Sequence, residues 1–189
     1  MPSETINIFV DLDETLIHTL GMVPFTKDGN GYIELHEIEF KKPEPNEKYA
    51  DTPVSIVLDK EVYDVVLRPG ANYLLFRLRE IGHVYMLTRA TKDYARVMNK
   101  AFNFGFDEDK IFDREYVKDW KYKTPKVKIT TGKSVLIDDL RASDNLEKIF
   151  FTKRFGVIKY IEVPAFWGYE DESLTHNYIQ ELVEDIVSS

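Results

Sequence analysis

The sequence predicts an α/β fold: a doubly wound, mainly parallel sheet with a small β-rich insert between the first strand and the first core helix. Three observations predict it. Short, nearly continuous apolar runs recur along the chain, as buried strands of a parallel sheet require. Stretches with helical spacing of apolar side chains lie between them. The segment between His18 and Arg68 alternates with period two instead. At 189 residues the chain is expected to form one domain, 1–189, with the insert at about 19–67.

The elements follow in order. Ile6-Asn7-Ile8-Phe9-Val10 reads as the first buried strand. In the insert, Ile33 and Leu35 begin an alternation that shifts phase to Ile38 and Phe40, and the polar, proline-rich Lys42–Lys48 reads as a loop. Val54, Ile56 and Leu58, then Tyr63, Val65 and Leu67, mark two antiparallel strands, with Asp59-Lys60-Glu61 turning the chain. Leu74, Leu78 and Ile81, with Leu75 beside them and Gly82 as a stop, predict an amphipathic helix of about three turns. His83–Leu87 is the next buried run. Tyr94, Val97, Met98 and Ala101 repeat the helical spacing, and Gly105 stands where a C-cap is expected. Ser134–Ile137 is a third core strand. A last helix is expected from about Ser173 to Val187, with Leu174, Tyr178, Leu182 and Ile186 on one face.

Composition narrows the chemistry. The chain has no cysteine, which excludes disulfides, thiolate metal sites and cysteine nucleophiles. Its four histidines, His18, His36, His83 and His176, are scattered, so any metal is expected to be a hard ion held by carboxylates. A net charge of −8 argues against broad non-specific nucleic-acid binding. No apolar run approaches the roughly 18 residues of a membrane span. Met1-Pro2-Ser3-Glu4 leads straight into the first strand, so no signal peptide is expected. These features lead us to expect an intracellular, soluble protein, cytoplasmic or, in a eukaryote, nuclear.

Asp11-Leu12-Asp13-Glu14-Thr15-Leu16 leaves the first strand at its carboxyl end, where open α/β sheets bind ligands. A calcium loop would need Asp or Asn at the fifth position and Gly at the sixth. Thr15 and Leu16 occupy those positions, so that alternative fails. Ile8–His18 resembles motif I, DxDx[TV], of the haloacid dehalogenase superfamily. The string DLDETLIH is similar to the RNA polymerase II C-terminal-domain phosphatases, the NLI-interacting-factor-like family. Val65-Val-Leu-Arg-Pro-Gly70 resembles that family's RPG, and Met86-Leu-Thr-Arg-Ala90 with Tyr94-Ala95 resembles its motif II. Tyr116-Val-Lys-Asp119 resembles motif III, Val135-Leu-Ile-Asp-Asp139 motif IV, and Trp167-Gly168 through Leu174 the closing region. The resemblance implies a Rossmannoid core and an Mg²⁺-dependent phosphatase of phosphoserine or phosphothreonine proteins.

The chemistry of phosphoryl transfer assigns roles to the same residues. It needs an in-line nucleophile, a proton donor to the leaving group and neutralisation of the phosphoryl oxygens. Asp11 is the candidate nucleophile, forming an aspartyl-phosphate. Asp13 is the candidate general acid, then base. Thr15, Thr88 and Lys118 are the candidate phosphate-binding set, with Thr15 also fixing its loop. Asp138 and Asp139 would complete a metal site with Asp11 and the backbone carbonyl of Asp13; the resemblance favours Asp139 as the direct ligand. Two unit charges ~4 Å apart repel by ~4 kcal/mol at an effective dielectric near 20. Several carboxylates beside a phosphate therefore call for a divalent cation, and Mg²⁺ suits an all-oxygen site. The intact Asp11–Asp13 pair argues against a non-catalytic binding module.

From Arg114 to Lys133 there are seven basic and two acidic residues, interleaved with Trp120 and Tyr122. One reading is an edge guarded by lysines. The other is a rim that recruits an anionic substrate. Arg89, Lys121 and Lys123 are its candidate substrate contacts, and a phosphorylated macromolecule is the expected partner: a phosphoprotein, or alternatively a nucleotide or nucleic-acid end.

Overall fold

Ile8, Phe9 and Val10 have no exposed surface, because their strand lies in the middle of a sheet with neighbours on both sides. The computed structural model describes residues 5–24, 49–58, 61–114, 132–139 and 157–189. Strand β1 (Ile6–Val10) is the centre of a five-stranded parallel sheet. The other strands are β5 (His83–Leu87), β6 (Ile111–Phe112), β7 (Lys133–Asp138) and β8 (Val157–Glu162), in the order β6-β5-β1-β7-β8. Val10 pairs with Met86 on one side and Ile137 on the other, so Asp11, Thr88 and Asp138 all come to one end of the sheet.

The winding explains why that end is useful. The chain runs outward from β1 through β5 to β6, then returns to the other side of β1 for β7 and β8. The gap between β1 and β7 is a topological switch point, where loops diverge and leave a crevice at the strands' carboxyl ends. The α/β class and the parallel sheet are as the sequence predicts.

Helix α1 (Ala71–Ile81) buries Ala71, Leu74, Leu75 and Leu78, and α2 (Lys92–Ala101) buries Tyr94, Ala95 and Met98. With α3 (His176–Val187) they pack against one core that includes Ile8, Val10, Val84, Met86, Val135 and Ile137. The remaining face of β1 carries Phe9, which stacks on Tyr85 at 5.1 Å and meets Phe112 at 5.9 Å. Thr91 and Thr175 cap α2 and α3 by accepting from the backbone N–H groups of Tyr94 and Tyr178; each such cap contributes about 1 kcal/mol. Among the described residues no helix is long and apolar enough to cross a membrane.

The insert is a three-stranded antiparallel sheet, β2 (Ile17–Pro24), β4 (Glu61–Leu67) and β3 (Val54–Leu58), in the order β2-β4-β3. The predicted pair is present, at 54–58 and 61–67; Glu61, expected in the turn, already belongs to the second strand, opposite Leu58. Residues 59–60 of the expected turn lie outside the described residues, as do the alternation at Ile33–Phe40 and the loop at Lys42–Lys48. The partner of β4 is Ile17–Pro24, so the insert's strands begin two residues before the predicted start. An irregularity in the pairing between Thr19 and Gly21 breaks the alternation there, which hides this strand from a period-two reading.

Two helix ends differ from expectation. α2 stops at Ala101, and the left-handed residue just after it is Asn103 at φ 53°. Gly105, at φ 73°, serves the next turn, where the Asn99 side chain accepts from Phe106 N–H at 3.0 Å and donates to its carbonyl at 2.8 Å. The last helix begins at His176 rather than Ser173, and its buried face is Ile179, Leu182, Val183 and Ile186. Leu174 precedes it, held by its N–H to the Pro69 carbonyl at 2.9 Å.

Candidate active site

Asp11 leaves β1 with its N–H still bonded to the Ile137 carbonyl at 3.0 Å, so the sheet register itself aligns it with the end of β7. The loop that follows is anchored by Leu12 and Leu16, both wholly buried. Leu16 N–H and Ile17 N–H both bond the Leu12 carbonyl, at 2.9 and 3.2 Å, and Glu14 takes a left-handed φ of 59°. Arg68, just after β4, clamps this loop from inside the protein. It is 2% exposed, donates to the carbonyls of Thr15 at 3.2 Å and Glu172 at 2.8 Å, and lies over the Phe166 ring. A buried guanidinium whose fork spans two carbonyls ties the loop to the closing segment in one geometry.

The structure brings Asp11, Asp138 and Asp139 together: one carboxylate oxygen from each lies within 4.8 Å of the others. Thr15 belongs with them, its hydroxyl donating to Asp139 Oδ1 at 3.4 Å. Burial pushes the Asp139 carboxyl up to about 6, and the charges of Asp138 and Glu14 add to the shift. The donor set is all carboxylate oxygen, which fits a hard divalent cation and offers nothing to a soft one.

Asp13 is held separately. Its Oδ1 accepts from Tyr94 OH at 2.7 Å and its Oδ2 from Thr88 Oγ1 at 3.4 Å. Burial pushes its carboxyl up to about 6, against the opposing hydrogen bond from Tyr94. Thr88 is itself wholly buried at the end of β5; its N–H bonds the Phe112 carbonyl and its hydroxyl accepts from Ala90 N–H at 3.0 Å. Arg89 is exposed beside it, its backbone carbonyl accepting from Arg114 Nε at 2.7 Å. Lys118, Lys121 and Lys123 lie outside the described residues. His18 has a local role, buried with Nδ1 3.2 Å from Glu14 Oε1 and edge-on to Trp167.

The sequence reading missed two contacts. Tyr94 reads as a core residue because it lies on the buried face of α2, yet a buried phenol needs a hydrogen-bond partner, and that was the available signal. The clamp made by Arg68 had its signal too: an arginine between an apolar strand and an apolar helix has little access to water, so it must find acceptors inside.

A family model described as NLI interacting factor-like phosphatase matches residues 6–149. The fold is similar to that of a solved fission yeast RNA polymerase II CTD phosphatase, an Fcp1 variant bound to beryllium fluoride. That match has a TM-score of 0.52 and 16% identity over 97% of this chain and 50% of that one. A second structure, of Fcp1 described as an essential RNA polymerase II CTD phosphatase, matches with a TM-score of 0.52 and 19% identity over 96% of this chain and 49% of that one. At these identities the likeness is one of fold, and the chain spans about half the length of both. No curated protein matches the sequence.

Proposed function

The chain belongs to the NLI interacting factor-like phosphatase family, and from that premise we propose that it is an Mg²⁺-dependent phosphomonoester hydrolase working through an aspartyl-phosphate on Asp11. The observation that carries this reading is the division of the carboxylates. Asp11, Asp138 and Asp139 cluster within reach of one cation, while the Asp13 carboxyl is held apart by the hydroxyls of Tyr94 and Thr88. A bound cation would keep the clustered group ionised, and the separate carboxyl is left to carry a proton.

In this mechanism Asp11 attacks phosphorus and the bond to the leaving oxygen breaks. Asp13, protonated, gives its proton to that oxygen, then as a carboxylate takes one from the water that cleaves the aspartyl-phosphate. Thr88 and Lys118 bind the phosphoryl oxygens, and Thr15 orients Asp139. Asp11, Asp138 and Asp139, with the Asp13 carbonyl, would hold Mg²⁺, which when bound neutralises the clustered carboxylates and the phosphoryl oxygens.

The substrate we assign is a phosphoserine or phosphothreonine protein segment. Two features support a macromolecule: the fold relatives act, by their names, on the CTD of RNA polymerase II, and the described strands of the insert form a β-sheet, suited to a flap rather than a closing lid. Arg89, Lys121 and Lys123 would meet its flanking charges. The test is a substrate panel with Mg²⁺: phosphopeptides, mononucleotides, and 5′- and 3′-phosphorylated oligonucleotides. The highest kcat/KM is expected on phosphopeptides. Faster hydrolysis of an oligonucleotide end or a mononucleotide would replace the substrate assignment, and no hydrolysis of any phosphate ester would overturn the reading.

A further inference from the structure

We propose that Tyr94 is a positioning residue for the general acid, and that Thr19 of the insert sheet sets it; the inference rests on the phosphatase reading above. The hydrogen-bond chain has a defined direction. A phenol has one hydrogen, and Tyr94 gives it to Asp13 Oδ1 at 2.7 Å. Thr19 Oγ1, 2.8 Å from the Tyr94 oxygen, must therefore be the donor in that second contact. The order is Thr19 to Tyr94 to Asp13.

That direction decides which oxygen of Asp13 works. Oδ1 accepts from Tyr94, so Oδ2 is the oxygen left to exchange a proton with the leaving group. Among the described residues, the other hydrogen bond to the carboxyl is the one from Thr88 to Oδ2, long at 3.4 Å and easily exchanged for a substrate oxygen. As the Asp11 oxygen bonds to phosphorus and the leaving oxygen departs, the Oδ2 proton passes to it, and Tyr94 continues to donate to the carboxylate that remains. Asp13 thus keeps one orientation through the step, which is what a proton transfer in the transition state requires.

The chain is also rigidly mounted. Tyr94 is on the buried face of α2, with its ring edge-on to Tyr63 of β4 at 5.6 Å between centroids. Thr19 sits where the β2 pairing with β4 shifts register, and such an irregularity re-aims a side chain. The insert sheet thereby supports the acid through two of its strands.

The experiment compares Tyr94→Phe, Thr19→Val and Thr19→Ser with the wild type on aryl phosphates, from nitrophenyl to unsubstituted phenyl phosphate. A well-placed acid matters more as the leaving oxygen becomes more basic. Tyr94→Phe should lower kcat on phenyl phosphate by about tenfold or more, and on nitrophenyl phosphate by under about threefold. KM should stay level. Thr19→Val should show a weaker form of the same tilt, and Thr19→Ser, which keeps the hydroxyl, should restore the wild-type slope. A parallel fall on every ester, or none, would overturn the inference while leaving the phosphatase reading intact. A wild type inert toward the whole series would overturn both.

Discussion

Asp13 and Asp139 both have carboxyl groups raised to about 6, but their surroundings call for different consequences. For Asp139 the charge of Asp138 and its place in the acidic cluster add to burial, so a cation bound there would return it to the ionised form. For Asp13 the hydroxyls of Tyr94 and Thr88 oppose a larger desolvation. An acid that must be protonated to act loses activity as pH rises through its pKa. We therefore expect kcat/KM on a poor leaving group to fall above about pH 6, and that limb to vanish in Asp13→Asn. The pH–rate profile of phenyl phosphate hydrolysis checks this; an unchanged limb in the variant would assign it elsewhere. Asp11→Asn should lower turnover of even nitrophenyl phosphate by about a thousandfold or more, with an unchanged melting temperature in chelator, because an amide of the same shape is a poor nucleophile. Asp11, Asp13, Asp138 and Asp139 were legible from the sequence because each follows an apolar strand. Tyr94, Thr19 and the clamp of Arg68 were not, because their contacts span 75 and 81 residues for Tyr94 and 53 and 104 for Arg68, and no periodicity encodes such pairings.

At the scale of elements, the junction of β4 and α1 joins the site to the closing segment. Arg68 reaches Thr15 and Glu172, and Gly70 follows with φ 89°. A Cβ on Gly70 would lie 2.2 Å from the Leu174 carbonyl oxygen, a backbone atom that cannot swing aside. Gly70→Ala combines that collision with a left-handed backbone, and should destabilise the protein by roughly 2–4 kcal/mol in urea unfolding. A change under about 0.5 kcal/mol would mean that the segment at Leu174 yields freely. Arg68→Lys should lower stability by about 1–3 kcal/mol, since one ammonium cannot span both carbonyls. The same elements show what sequence patterns carry. β3 and β4 were legible because their alternation is unbroken from Val54 to Leu58 and from Glu61 to Leu67. β6 was not, because its two residues give no period to read. β2 was lost at its register shift, and the start of α3 was placed early because Leu174 is as apolar as the helix face it precedes.

At the scale of the whole molecule, the reversal of winding at β1 delivers three carboxylates to one crevice, and that concentration of charge is a cost that folding alone does not relieve. The sign follows from proton linkage. Asp139 has a folded pKa near 6 against an ordinary 3.8, so the native state binds the extra proton between those values. Its stabilising effect is present below the unfolded pKa and is lost as pH rises through about 6. A divalent cation competes with that proton for the same oxygens, so its own stabilisation must grow over the same interval. At free Mg²⁺ about 100 times its dissociation constant, binding contributes ~2.7 kcal/mol, or several degrees for a chain of this size. The difference in melting temperature between excess Mg²⁺ and excess chelator should therefore be about 5 °C or more at pH 7.5 and shrink to under about 2 °C at pH 5. In Asp139→Asn the difference should be small at both values. Scanning calorimetry at the two pH values, on wild type and variant, measures it. Equal increments at pH 5 and 7.5 would mean that the ion does not displace a proton from this cluster, and the metal site would have to be sought elsewhere.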